Sequence, residues 1–309
     1  MLIEKNVAAD CLHRVKIVGM RMTKKVLENE SPLVSIGMPV YNEAAFIKES
    51  LASLLAQDYQ NLEIIISDNG STDETFSICR EYARLDSRVS YYRFDNNVGA
   101  SKNFISVLER ASGKYFMWAA GHDLWSDNLI PEAVQVLESH PDAALAFASA
   151  VWIDANGDVF GRESGWTDTR GMDPIARFFT ILWGNMHPVL AVIRRSYLCE
   201  IPRIHSCAGS DLIILSELAI KGDFVHAAKA TWSRREFRGL ESHKEKIKRY
   251  KNKEYKLITS SIDKLFPLLR LPLELMRVVI RSDLKWLEKL IVLAALFPAF
   301  VARYVSGNK

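Results

Sequence analysis

From residue 33 the sequence repeats one alternation: a short apolar run, a polar turn, then apolar residues at helical spacing. Leu33 to Met38 is apolar enough for a buried strand and stops at Pro39, and Ala44 to Gln57 then carries apolar residues three and four apart. Leu62 to Ser67 repeats the strand and stops at Asp68-Asn69-Gly70, while Ser71 with Glu74 three residues later predicts a boxed helix start and a helix reaching Asp86. Val89 to Phe94, Ser101 to Ala111 and Tyr115 to Ala119 add a strand, a helix and a strand. Such units build an α/β domain with a mostly parallel sheet flanked by helices. Sheets of this kind bind ligands beyond the carboxyl ends of their strands. Those ends are Pro39 to Glu43, Asp68 to Ser71, Asn96 to Gly99 and Gly121 to Asp123, all polar or turn-forming.

The second half is less regular. Ala144 to Ile153 predicts a strand, Asn156-Gly157 a hairpin turn, Pro188 to Arg194 another strand, and Asp211 to Lys221 a helix closed by Gly222. After Arg238 comes a basic stretch with Lys244, Lys246, Lys248, Arg249, Lys251 and Lys253, followed by strongly apolar helices from Leu265. Leu290 to Val305 is broken by Pro298 and Arg303, and falls short of the roughly 20 apolar residues that a spanning helix needs. With Lys285, Trp286 and Lys289 at one edge and Arg303 and Tyr304 at the other, it suits a helix lying at a membrane surface, with Leu268 to Ile280 beside it. Packing on the main domain, or against a second copy, is the alternative. Three regions follow: an extension at 1–31, a main domain at 32–238 with halves at 32–127 and 128–238, and a C-terminal helical region at 239–309.

Several functional classes are excluded. Lys+Arg 40 against Asp+Glu 37 leaves a charge of +3, too balanced for a nucleic-acid binder. Cys11, Cys79, Cys199 and Cys207 form no C-x-x-C pair and no zinc spacing with His, so free thiols in a reducing cytosol are expected. The first thirty residues lack the apolar run of a signal peptide, which adds to a cytoplasmic expectation. Neither a G-x-G-x-x-G fingerprint nor a G-x-x-x-x-G-K-[ST] loop occurs.

Three ordered segments carry a family resemblance. Val34 to Glu43 (VSIGMPVYNE), Ser67 to Asp73 (SDNGSTD) and Asn97 to Asn103 (NVGASKN) resemble the signatures of family 2 glycosyltransferases, over a stretch from Pro32 to about Asp127. The resemblance implies a glycosyltransferase A-type, Rossmann-like fold and inverting transfer from a UDP- or GDP-sugar. By the same resemblance Asp68 accepts the base N–H, Pro39, Tyr41 and Glu43 line the base and ribose, and Lys102 belongs to the donor site. A carboxylate at a strand end suits an imide N–H, and an aromatic ring beside it supplies a stacking face. Taken singly these residues have plain readings: Asp68-Asn69-Gly70 as an ordinary turn, Glu43 as a first-turn carboxylate, Tyr41 as a half-buried core residue.

After the fourth strand the family places an acidic D-x-D cluster that holds the catalytic metal, where this chain has Ala119-Ala120-Gly121-His122-Asp123-Leu124-Trp125. The resemblance then assigns Mg²⁺ or Mn²⁺ to Asp123, since Mg²⁺ needs only one or two carboxylates besides phosphate oxygens. It assigns donor contact to His122. Asp211, in Gly209-Ser210-Asp211-Leu212, becomes the general base for the acceptor hydroxyl, with a helix-start acid as its plain reading. Trp232 to Arg238 is a basic segment suited to a diphosphate, or a solvated turn. His187 stays outside the site. The expected partners are the donor, a glycan or lipid-linked acceptor in cell-surface polysaccharide synthesis, and the cytoplasmic face of a membrane. The reduced acidic cluster keeps a second reading open, a non-catalytic nucleotide-sugar-binding or scaffold protein.

Overall fold

The computed structural model describes residues 31–161, 167–184, 188–201, 209–236 and 270–306, the last seven by backbone alone. The expected extension up to residue 30, the basic stretch Lys244 to Lys253 and His187 lie outside these residues.

The first half follows the sequence pattern closely. It runs β1 (Val34–Val40), α1 (Ile47–Leu55), β2 (Leu62–Asp68), α2 (Thr75–Leu85), β3 (Val89–Arg93), α3 (Ala100–Arg110) and β4 (Tyr115–Trp118). The predicted box at the start of α2 does not form. The Ser71 hydroxyl accepts the Asn42 amide at 3.0 Å, so it is spent on a neighbouring loop, and Asp73 instead accepts the Thr75 amide at 3.0 Å.

The second half comprises β5 (Leu124–Trp125), α4 (Leu129–Ser139), β6 (Ala143–Ile153), α5 (Pro174–Trp183), β7 (Val192–Arg194), α6 (Arg195–Cys199), α7 (Ser210–Lys221), β8 (Asp223–Arg235), α8 (Arg270–Arg281) and α9 (Trp286–Ser306). The strand expected from Pro188 begins only at Val192. Pro188–Leu190 forms a 3₁₀ turn closed by the Ala191 amide on the Pro188 carbonyl at 3.0 Å.

Eight strands form one sheet in the order β3-β2-β1-β4-β7-β6-β8-β5. The half from β3 to β4 is parallel, as expected; β7 is antiparallel to both neighbours, β6 and β8 run parallel, and β5 closes the edge antiparallel to β8. Strand alternation splits the core into two layers. Ile65, Phe116 and Trp118 face one layer with Phe178, Leu215 and Leu218, whereas Ile64, Ile66 and Met117 face the other with Leu51, Leu54 and Ile130. The first layer also holds Leu275, Val279, Val292 and Leu296, so α8 and α9 share the core of the main domain.

The thiols divide. Cys79 is free and buried, and burial pushes its pKa up to about 12. Cys199 is disulfide-bonded, which corrects the expectation of free thiols throughout. Cysteine spacing alone carried no sign of it, because pairing depends on how the fold brings chain segments together.

Candidate active site

The carboxyl ends of β1 and β2 are stitched together by side chains bonding across to backbone. Asn42 adopts a left-handed conformation, with φ of 55°, and its Oδ1 accepts the Thr72 amide at 2.8 Å. The Glu43 amide donates to Thr75 Oγ1 at 2.8 Å and the Ala44 amide to Asp73 Oδ2 at 3.1 Å. Asn69 ties in the third loop: its Oδ1 accepts the Val98 amide at 2.8 Å and its Nδ2 donates to Asn97 Oδ1 at 3.1 Å. Gly70 (φ of 72°) lets these loops meet, since a Cβ there would lie 2.9 Å from the Asn96 carbonyl carbon.

Asp68 is fully buried. Its Oδ1 accepts the Ser71 amide at 2.8 Å, its Oδ2 accepts the Tyr91 hydroxyl at 2.7 Å, and Arg93 Nε lies 3.6 Å away. Burial, followed by the bond to Asp68, raises the Tyr91 pKa well above that of an ordinary phenol. Pro39 and Tyr41 are half-buried at the end of β1, and Lys102 is exposed on the first turn of α3, its ammonium 5.7 Å from the Phe94 ring centre. Asn103 donates to the Val40 carbonyl at 3.3 Å, and its buried Oδ1 has no hydrogen-bond partner.

His122 is held from β1's side. Its Nδ1 lies 3.0 and 3.1 Å from the two Glu43 oxygens, with both side chains under one-fifth exposed. Gly121 makes room for the pair, because a Cβ there would come within 2.9 Å of Glu43 Cγ.

Asp123 is placed otherwise than a metal ligand requires. It is 2% exposed; Oδ2 accepts Trp232 Nε1 and Oδ1 accepts the Arg235 amide, both at 2.9 Å. Burial raises its pKa against the opposing pull of His122 and these two donors. A divalent cation such as Mg²⁺ or Mn²⁺ takes oxygen ligands with lone pairs turned to the site. Among the described residues no group of three or more His, Cys, Asp or Glu side chains is arranged for a metal ion. Asp123 already holds two donors and Glu43 faces His122, so among the described residues these side chains form no ready cage for a protein-held cation. Asp123 instead pins β8 beneath the site.

Arg235 also serves as a clamp rather than a free phosphate ligand. It is buried and donates to the carbonyls of His122, Asp154 and Ala155 and, at 2.7 Å, to Glu49. Arg234 lies over the Trp152 ring at 4.5 Å. Asp211 sits half-buried on the first turn of α7, behind Gly209 with φ of 82°. That helix packs on α5, α6 and α8, elements apart from the β1 and β2 loops. The structure thus brings together Tyr41, Glu43, Asp68, His122 and Asp123, and leaves Asp211 on a separate element. Tyr91 and Arg93 support the site unforeseen, though the parallel register placing Arg93 opposite Asp68 was open to sequence reasoning; Asn69, Trp232 and Arg235, which lie in segments the sequence marked, act here as structural ties rather than as diphosphate ligands.

Comparison with known proteins gives a consistent picture. The profile described as Glycosyl transferase family 2 matches residues 35–201. The putative teichuronic acid biosynthesis glycosyltransferase TuaG of Bacillus subtilis is 32% identical over 111 residues, 36% of this chain and 44% of its own length. The chain spans only about a third of the first curated relatives it matches. Staphylococcus aureus TarS 1-349, solved in complex with UDP-GlcNAc, aligns with a TM-score of 0.63 at 16% identity, over 89% of this chain and 73% of that one. The Pyrobaculum calidifontis mannosyltransferase PcManGT, solved with GDP-Man and Mn²⁺, aligns with a TM-score of 0.54 at 16% identity, over 99% and 86%. At such identities these likenesses establish the fold, a mixed sheet with flanking and C-terminal helices.

Proposed function

The chain belongs to glycosyl transferase family 2, and from that premise we propose that it transfers a sugar from a nucleotide-diphosphate sugar to a hydroxyl of a glycan or lipid-linked acceptor, with inversion. The observation that carries this reading is the stitched edge of β1 and β2, which gathers Tyr41, Glu43, Asp68 and His122 where an α/β sheet takes its ligand. Tyr41 offers a stacking face to the base, and Asp68 retains unused lone pairs for a base N–H. Its burial makes that contact a matter of the loop opening slightly on binding. Glu43 orients the His122 ring, whose Nε2 lies 3.9 Å from Asp123 Oδ1, and His122 is assigned a contact with the donor. Lys102, exposed on α3, supplies positive charge for the leaving diphosphate. Inversion is a single in-line displacement, so the acceptor hydroxyl must lose a proton; Asp211 is assigned as that base. A place in cell-surface polysaccharide synthesis is supported by the name of TuaG.

The commitment of Asp123 to Trp232 and Arg235 favours one second reading, a nucleotide-sugar-binding protein without turnover. Calorimetric titration with UDP- and GDP-sugars, with Mn²⁺, Mg²⁺ or chelator, separates the possibilities when followed by a transfer assay. We expect one donor to bind and His122→Ala to weaken it by at least about tenfold, the loss of one charged or strongly oriented hydrogen bond. Binding without turnover selects the second reading, and no binding of any donor overturns both.

A further inference from the structure

Helix α9 is apolar on two sides. Val292, Leu296 and Ala299 are buried against the core, yet the outward side carries Leu287, Leu290, Ile291 and Phe297, each about half exposed or more. A helix apolar all round normally has apolar surroundings all round. α8 repeats the pattern, with Leu275, Val278 and Val279 inward and Leu273, Met276 and Ile280 outward. Eight of the fourteen large hydrophobic side chains that are exposed among the described residues lie on these two helices. Concentrated exposure of this kind marks an interaction surface.

The rim of the patch indicates its occupant. Trp286, the most exposed of the fourteen at 73%, opens α9 after the turn between the helices, with Arg281 and Lys285 exposed just before it in the chain and Lys289, half exposed, one turn on with its ammonium donating to the Ile280 carbonyl at 2.9 Å. Trp183, half exposed on α5, donates to the Ala299 carbonyl at 3.4 Å and so lies beside the same helix. Tryptophan and basic side chains at the edge of an apolar face match the boundary between lipid headgroups and acyl chains. No helix among the described residues is long and apolar enough to cross a membrane. Pro298, exposed on the same face, supplies no N–H to the carbonyl four residues earlier, and that carbonyl needs water or a headgroup as partner.

We propose that the outward face of α8 and α9 docks the protein onto an anionic lipid surface, with Trp286, Leu290 and Ile280 entering the interface and Arg281, Lys285 and Lys289 meeting lipid phosphates. Donor binding plays no part in this docking, so its fate is separate from that of the transfer reading.

The test is flotation of the full chain with vesicles of phosphatidylglycerol and phosphatidylethanolamine, against vesicles of phosphatidylcholine. The protein should float with the anionic vesicles and at least about tenfold less with the neutral ones. The double variant Trp286→Ser, Leu290→Ser should lose at least about tenfold of the bound fraction, and Leu85→Ser, exposed on the opposite layer, should lose none. Ile280→Ser on α8 provides an independent variant should the double substitution disturb folding. Absence of flotation, or flotation that survives both sets of substitutions, overturns the proposal. So does a dimer in ultracentrifugation that the double variant converts to monomer without any vesicle binding, which assigns the face to a second copy of the chain.

Discussion

At the residue scale the site depends on carboxylates whose surroundings differ sharply. Asp68 and Asp123 are both nearly inaccessible, but each has two donors within 2.9 Å, which is what keeps a buried carboxylate tolerable. Glu43 lies nearer the surface and is free to orient an imidazole. Tyr91→Phe removes the phenol from Asp68 Oδ2 without changing the ring's volume. Hydrogen bonds to charged groups contribute about 1.5–3 kcal/mol, so denaturant unfolding should show a loss of that size. If Asp68 also reads the donor base, the same variant should weaken donor affinity in calorimetry; an unchanged unfolding midpoint would show the bond to be dispensable. Asp68, Glu43 and His122 could be singled out as candidates because the family signatures put them at strand ends, although each alone also has a plain reading as a turn or helix-start residue. The inward commitment of Asp123 was not, since its two donors arrive from β8, over a hundred residues later.

At the element scale the parallel half was readable because each strand is short, apolar and closed by a turn residue, and each helix shows one apolar stripe. β8 was not: in DFVHAAKATWSRR the exposure does not simply alternate, and the register against β6 shifts at Ala148/Ser149. β5 is two residues long, too short for any periodic signal. α4 went unpredicted although Leu129, Ile130, Ala133, Val134 and Leu137 sit at helical spacing. α7 allows a pH test. Burial raises the pKa of Glu217 above its usual 4.5, and this outweighs the attraction of Lys221 and Arg281. The folded state therefore holds the proton to higher pH than the unfolded chain, and stability falls as pH rises from about 4.5 through the folded pKa. Glu217→Gln should melt at a higher temperature than the parent near neutral pH, with the gap closing below pH 4.5. A constant gap across that range would mean that the effect is one of packing.

For the molecule as a whole, α8 and α9 share the core of the main domain, as the packing alternative for the C-terminal helices would have it. The basic and apolar shift after Arg238 looks like the start of an appendage, yet Leu271, Leu275, Val278, Val279, Leu284, Val292, Leu296 and Ala299 all belong to the layer built on Phe116 and Trp118. Sequence periodicity reports one apolar stripe per helix but not what the stripe will meet, so an inward face and an outward face of α9 could not be separated beforehand. Leu271 also packs beside Gly209, two residues before Asp211, so the helix carrying the outward apolar face braces the start of the helix carrying the assigned base. Burying a large aliphatic side chain contributes about 1.5–3 kcal/mol, and the seven Leu and Val positions among these together rival the roughly 5–15 kcal/mol by which a whole domain is stable. A chain ended at residue 236 should therefore lose its cooperative melt in circular dichroism, even in the absence of any vesicle or donor. The surface variants Trp286→Ser and Leu290→Ser should leave that melt in place, because the side chains they shorten face outward. A truncated chain that still melted cooperatively at the parent temperature would restore the appendage, and the two faces of α9 would then have to be explained by lipid alone.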